Sequence, residues 1–147
     1  MPSKNMDYLI IPLKNPDQSV LQDILNIYIQ EGWWDGGYDL KNVLEIIKGS
    51  HIFYAALDNN AVIGMGRAIS DGVSDAYIQD VAVKKEYRKQ NIGSSIIKEI
   101  VKKLKQEKIL WIGLISEKNS HEFYKKLNFE EMKNTYPMKY KIKTNDI

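Results

Sequence analysis

Residues 77–104, YIQDVAVKKEYRKQNIGSSIIKEIVKKL, change their hydrophobic period partway along. Ile78, Val81, Ala82 and Val83 suit a buried strand. Ile96, Ile97, Ile100, Val101 and Leu104 recur at helical spacing. Between them lies the polar stretch Lys84 to Asn91, and Gly93 stands where the helix should begin. After the helix, Ile109 to Ile115 (ILWIGLI) is apolar at both alternating sets of positions, which predicts a central strand covered on both faces. The order strand, loop, helix, strand is a right-handed parallel crossover by default. A loop that ends at a helix N-terminus presents amides with no partner inside the helix. The helix dipole adds about half a positive charge there, so the same stretch reads as an anion site.

The rest of the chain supplies short elements around this unit. Tyr8 to Leu13 suits an opening strand, with Pro12 tolerable near an edge. Asn15-Pro16-Asp17 starts a helix whose inner face is Val20, Leu21, Ile24, Leu25 and Tyr28, ending near Gly32. A loop rich in both aromatics and glycine follows, Trp33-Trp34-Asp35-Gly36-Gly37-Tyr38. A second helix then carries Leu40, Val43, Leu44 and Ile47 and closes at Gly49. His51 to Leu57 and Ala61 to Ile69 read as a hairpin across Asp58-Asn59-Asn60. Ser70-Asp71-Gly72 turns the chain into the Tyr77 strand. Beyond Ile115, Asn119 to Leu127 is a short amphipathic helix ended by Asn128, and Met138, Tyr140 and Ile142 alternate with Lys139 and Lys141 as a half-exposed closing strand. This order predicts an α/β (α+β) chain with a mixed sheet and helices on both faces.

At 147 residues the chain suits one domain with one core. A formal net charge of +2 gives little for nucleic acid to hold, and the lysines at 102, 103, 105 and 108 read as a solvated helix face. With no cysteine there is no thiol nucleophile, disulfide or Cys-based zinc site. His51 and His121 have no metal-ligand spacing, so no metal is expected. The opening MPSKNMDYLI has no leader-like apolar core, and no apolar run approaches a membrane span, so a cytoplasmic protein with no membrane partner is expected.

Two motifs carry a resemblance to the GNAT superfamily of N-acetyltransferases. The first is Val81-Ala82-Val83 followed by Arg88-Lys89-Gln90-Asn91-Ile92-Gly93, similar to the family's acyl-CoA loop Arg/Gln-x-x-Gly-x-Gly/Ala. The second is Phe123-Tyr124-Lys125-Lys126-Leu127-Asn128-Phe129, similar to its FY-x-K-x-GF helix end. The element order agrees from the first strand to the last. The chain departs from the pattern where Asn91 and Asn128 replace glycines and where Lys84 replaces the familiar proline. Asn is the non-glycine residue best tolerated at positive φ, so neither substitution breaks the backbone argument.

The resemblance implies a single GNAT domain over residues 1–147, with six to seven strands and about four helices. It implies acetyl-CoA as acyl donor and direct transfer to a primary amine, with no covalent enzyme intermediate. It assigns the cofactor to Val81, Ala82, Val83, Arg88, Lys89, Gln90, Asn91, Ile92, Gly93 and Ser94, together with Asn119, Tyr124 and Lys126. An N–H near Val81 would stabilise the oxyanion, a donor worth roughly 3 kcal/mol in general. Tyr124 is the candidate general acid toward the leaving thiolate. Full transfer from a phenol of pKa about 10 to a thiolate of about 8.5 is uphill by roughly 2 kcal/mol, but a hydrogen bond suffices.

The substrate ammonium must lose a proton, since an alkyl amine of pKa ~10 is only about 0.1% neutral at pH 7. Asp80 suits this role directly or through water, and suits equally a structural carboxylate bonded to Arg67 or to backbone. Strict alternation groups it with Ile78 and Ala82. Trp33, Trp34 and Tyr38 edge the acceptor site of this family, with Glu31 and Asp35 suited to a cationic acceptor. A compact aromatic loop favours a small molecule over a peptide. Competing readings are a CoA-binding sensor without chemistry, a protein N-terminal or lysine acetyltransferase, and a nucleic-acid-binding domain. The family often dimerises, so a homodimer using the closing strand is compatible with the resemblance.

Overall fold

The computed structural model describes residues 7–147; the first six, part of the opening segment read above for a leader, lie outside them. The chain divides into two compact units, one up to Leu114 and one from Ile115 to Ile147.

The first unit holds β1 (Leu9–Pro12), α1 (Gln18–Gln30), α2 (Leu40–Gly49), β2 (Ile52–Asp58), β3 (Ala61–Ser70), β4 (Asp75–Val83), α3 (Ile92–Gln106) and β5 (Trp111–Leu114). The five strands lie in sequence order in one sheet. Pairing is antiparallel from β1 to β4 and parallel between β4 and β5, as the strand–helix–strand pattern requires. Pro12 is tolerated because β1 is an outer strand.

Helix starts follow their caps. The Asp17 carboxylate accepts from the Val20 N–H at 3.0 Å, and Asp39 and Asn42 form a reciprocal capping box. The helices cover both faces of the sheet. Apolar residues of α1 and α2 cluster with Phe53, Ala55, Val62, Met65 and Ala82. On the opposite face α3 lies so close to β3 that a Cβ on Gly66 would stand 2.8 Å from the Ile96 Cγ2, and one on Gly64 would stand 3.1 Å from the Ile92 Cγ2. The two glycines of Ile63-Gly64-Met65-Gly66-Arg67 are the price of that approach, while Met65 and Arg67 point to the α1–α2 side.

β5 differs from the sequence expectation. It is shorter than Ile109–Ile115 and is the outermost strand of the sheet, not a central one, with Trp111 41% and Leu110 78% exposed. Burial of the segment is concentrated at Ile109 and Gly113, because Ile109 belongs to the turn that ends α3.

The second unit contains α4 (His121–Lys125), shorter than the expected Asn119–Leu127. The expected closing strand forms no ladder among the described residues, and Met138 is 91% exposed. Alternation marks a segment able to form a strand, but a strand exists only with a partner. The sheet therefore has five strands where six to seven were expected, and the four helices are as expected. No helix among the described residues is long and apolar enough to cross a membrane.

Candidate active site

β4 is paired irregularly on both sides. Its ladder with β5 runs from Asp75–Trp111 to Ile78–Leu114 and stops, so Gln79 to Val83 pair with β3 alone. On the β3 side, Arg67 is in register with Gln79 and Met65 with Ala82, leaving Asp80 and Val81 together opposite Gly66. This is a β-bulge, and its first residue, Asp80, has φ 55°. The extra residue overturns the alternation expected from sequence. Gln79 and Asp80 both face Arg67, which donates through Nη2 to Gln79 Oε1 at 3.1 Å and through Nε to Asp80 Oδ2 at 2.6 Å. Asp80 therefore lies opposite Ile78 rather than beside it, and the Val81 side chain turns toward α3.

Asp80 is held from a second element. The Tyr28 hydroxyl, buried on α1, donates to the same Oδ2 at 2.7 Å. Burial first, and the Asp80 charge second, push the Tyr28 phenol above its ordinary value, so it stays a donor. A non-glycine residue in the left-handed region costs about 1–2 kcal/mol. Each charge-assisted hydrogen bond returns roughly 1.5–3 kcal/mol, so two of them outweigh the strain. Arg67 is anchored further by the Ser50 hydroxyl at 3.4 Å, which itself donates to the Ile46 carbonyl at the end of α2.

The same tyrosine carries the aromatic loop. α1 ends in a Schellman motif. Gly32, at φ 72°, sends its N–H to the Ile29 carbonyl, and the Trp33 N–H reaches the Tyr28 carbonyl. That turn sets Trp33 edge-on to Tyr28, with ring centroids 6.0 Å apart. Trp34 stacks on Tyr28 at 3.9 Å, and Tyr38 stacks on Trp34 at 4.4 Å. Trp33, Trp34, Tyr38 and Asp80, proposed separately from sequence, are thus one assembly centred on Tyr28. Sequence reasoning had given Tyr28 only a core-facing helix position, and its apolar spacing carried no hint of the hydroxyl's partner.

The anion loop leaves β4 through clamps supplied by the end of α1. Gln30 donates to the Val83 carbonyl at 3.3 Å and accepts from the Lys85 N–H at 3.1 Å. Glu31 pairs with Arg88 at 3.2 Å. Residues Lys85–Tyr87 form a 3-10 turn that consumes the Arg88 N–H, so among the expected amide donors the run starts after Arg88. Lys84, where a proline is familiar, uses its N–H on the Ile63 carbonyl at 2.8 Å, a bond proline cannot make.

Asn91, not Gly93, takes the left-handed conformation (φ 62°) and makes no side-chain cap, and α3 begins at Ile92. The first α-helical bond of α3 runs from the Ser95 N–H to the Asn91 carbonyl, leaving the amides of Ile92, Gly93 and Ser94 ahead of it at the positive end of the helix dipole. These features fit a pyrophosphate at the loop and an extended arm along β4 beyond Ile78. Gln90 and Lys89 are exposed on the same loop, and no group of acidic, His or Cys side chains among the described residues could hold a metal.

In the second unit, Tyr124 sits on α4 with Phe123 and Phe129 edge-on to its ring at 5.0 and 5.7 Å. The helix ends in a second Schellman motif. Asn128, at φ 71°, donates to the Lys125 carbonyl, and the Phe129 N–H donates to the Tyr124 carbonyl. The FY-x-K-x-(N)F pattern is therefore one cap holding one tyrosine ring. Burial, and then the Glu117 carboxylate, raise the Tyr124 phenol above its ordinary value. Asn119 lies in the turn before α4 at φ 59°, and Lys126 is exposed at its end. The two histidines each stand beside a carboxylate, His51 by Glu107 at 3.1 Å and His121 by Glu122 at 3.7 Å.

Comparison with known proteins gives the family. The model of the Acetyltransferase (GNAT) family matches residues 19–129. The uncharacterised N-acetyltransferase ycf52 of Pyropia yezoensis is 30% identical over 86% of this chain and 81% of its own length. The probable acetyltransferase TAP2 of Glycine max is 28% identical over 84% of this chain, which spans only 58% of that relative. Among solved structures, a GNAT family acetyltransferase from Streptococcus pneumoniae TIGR4 superposes with a TM-score of 0.76 at 27% identity, covering 92% of this chain and 98% of its own. The family match over most of the chain, on a fold and a β4–α3 junction of this form, establishes that the chain belongs to the GNAT family of acetyltransferases.

Proposed function

We propose that this enzyme moves the acetyl group of acetyl-CoA directly to a primary amine of a small molecule. The observation that carries the reading is the junction of β4 and α3. A strand edge freed of its β5 partner beyond Ile78 leads into a loop that ends at the unbonded first amides of α3. Acetyl-CoA supplies an activated thioester. Val81 to Val83 present their backbone to the pantetheine arm, and Lys89 to Ser94 surround the pyrophosphate. The Val81 N–H stabilises the developing oxyanion, and Tyr124 donates a hydrogen bond to the departing sulfur. Its raised pKa keeps the phenol protonated at neutral pH, which suits a donor.

The aromatic loop supports a small acceptor. Trp34 is stacked between Tyr28 and Tyr38, so the loop is a compact aromatic stack built on the tyrosine that binds Asp80. The test is acetyl-CoA-dependent thiol release over a panel of polyamines, amino sugars, amino acids and a lysine- and amine-terminal peptide set. Turnover is expected with a small amine, and Tyr124→Phe should lower kcat by about 10²-fold, the lower end for loss of a donor aimed at developing charge. Tight CoA binding with no turnover, and Tyr124→Phe equal to the parent protein, would count against catalysis. Turnover with peptides alone would move the acceptor to a protein amine.

A further inference from the structure

Asp80 has a conformation that its own side chain must maintain. Its φ of 55° lies inside a strand, where an L-residue returns to extended geometry unless held. Two donors from different elements converge on one oxygen. Tyr28 of α1 reaches Oδ2 at 2.7 Å and Arg67 of β3 reaches it at 2.6 Å. If residue 80 were extended, the bulge would vanish and each later β4 side chain would change faces. Val81, which now turns toward Gly66 and α3, would be the first to move. The direction of the Val81 backbone therefore depends on what holds residue 80.

We propose that Asp80 is a positioning residue and not the base: its carboxylate, locked by Tyr28 and Arg67, holds the β4 bulge that aims the Val81 backbone at the reacting carbonyl. The part played by Val81 rests on the acetyltransferase reading above, whereas the lock rests on geometry alone. Tyr28 also carries Trp33 and Trp34 on its ring, so the acceptor-side loop and the bulge share one fastening. Proton removal from the acceptor then falls to water or to another group.

The test compares Asp80→Asn, Asp80→Ala and Tyr28→Phe by kcat, acetyl-CoA dissociation constant, pH–rate profile and crystal structure. Asn tolerates positive φ and can accept the same two hydrogen bonds, so Asp80→Asn should keep φ positive and retain kcat within about tenfold. Asp80→Ala should become extended and lose about 10²-fold in kcat, the scale of a 1 Å misplacement. The shape of its pH profile should be unchanged, while its acetyl-CoA affinity should weaken, because Val81 to Val83, which follow the bulge, are the proposed seat of the pantetheine arm. Tyr28→Phe keeps the ring stack, and should lower kcat with the pH profile retained.

The proposal is overturned if Asp80→Asn loses as much activity as Asp80→Ala and both lose the acidic limb, which is the signature of a base. It is equally overturned if Asp80→Ala keeps the bulge. Should Asp80→Asn fail to fold, Tyr28→Phe decides, since a kcat equal to that of the parent enzyme sinks the lock. If the parent protein acetylates no amine in the panel, the acetyltransferase reading falls, while the φ of residue 80 in the variants still decides the lock.

Discussion

Single residues in this chain are placed by backbone conformation as much as by chemistry. Asn91 and Asn128 stand where the family pattern has glycine, and both are left-handed, at φ 62° and 71°. Asn accepts that conformation, so the loop and the α4 cap survive the substitutions. Tyr28 is a different case, because its value lies in an un-ionised hydroxyl. Burial raises its folded pKa above the ordinary value near 10. The stability it contributes is therefore fully present below about pH 10 and declines as pH rises above that, because the unfolded chain loses the proton while the folded chain keeps it. Urea unfolding from pH 8 to 11.5 should show the stability advantage of the parent protein over Tyr28→Phe constant up to about pH 10, then falling by about 1.4 kcal/mol per pH unit. A constant difference throughout would mean that Tyr28 ionises normally in the folded state.

At the scale of elements, helix ends do much of the positioning. α1, α3 and α4 each finish in the same paired 6→1 and 5→2 hydrogen bonds, with Gly32, Lys108 and Asn128 at the left-handed position. In each, the residue after the turn is apolar: Trp33, Ile109 and Phe129. For α1 and α4 that residue contacts a tyrosine named above, Tyr28 and Tyr124. The contact of α3 with β3 is set by absence of side chain. Gly66→Ala would place a methyl 2.8 Å from Ile96, and α3 is the helix whose first turn carries the proposed anion site. Overpacking of this kind costs about 1–3 kcal/mol, which should appear as a lower urea midpoint with an unchanged m-value. Because the strain falls on Ile96, one turn into α3, a weaker acetyl-CoA affinity should accompany it, readable by calorimetry.

For the molecule as a whole, the proposed anion site implies linkage between folding and cosubstrate. A ligand that binds only the folded chain at 100 times its dissociation constant adds about 2.7 kcal/mol, which for a chain of this size is roughly 5–10 °C in Tm. A thermal shift of that order is expected with CoA, and a much smaller one with adenosine, which lacks the pyrophosphate. No shift with millimolar CoA would argue against the loop as the binding site. The formal net charge of +2 gives no comparable reason to expect stabilisation by DNA or RNA.

The residues alone determined the order of elements as far as α4, the crossover from β4 through α3 to β5 and the family. Each of these depends on local period and local caps, which a chain carries in its own order. Tertiary structure decided what depends on a partner. Ile109–Ile115 has the composition of a central strand, yet β5 lies at the sheet edge. Met138 to Ile142 alternates like a strand, yet forms no ladder among the described residues. Above all, Asp80 was legible as an unusual carboxylate in an apolar strand, but not as the first residue of a bulge. That bulge exists because Tyr28, 52 positions earlier, and Arg67, 13 positions earlier, both reach Oδ2. Alternation is a rule for regular strands, and one inserted residue, paid back by two long-range hydrogen bonds, is enough to reverse it.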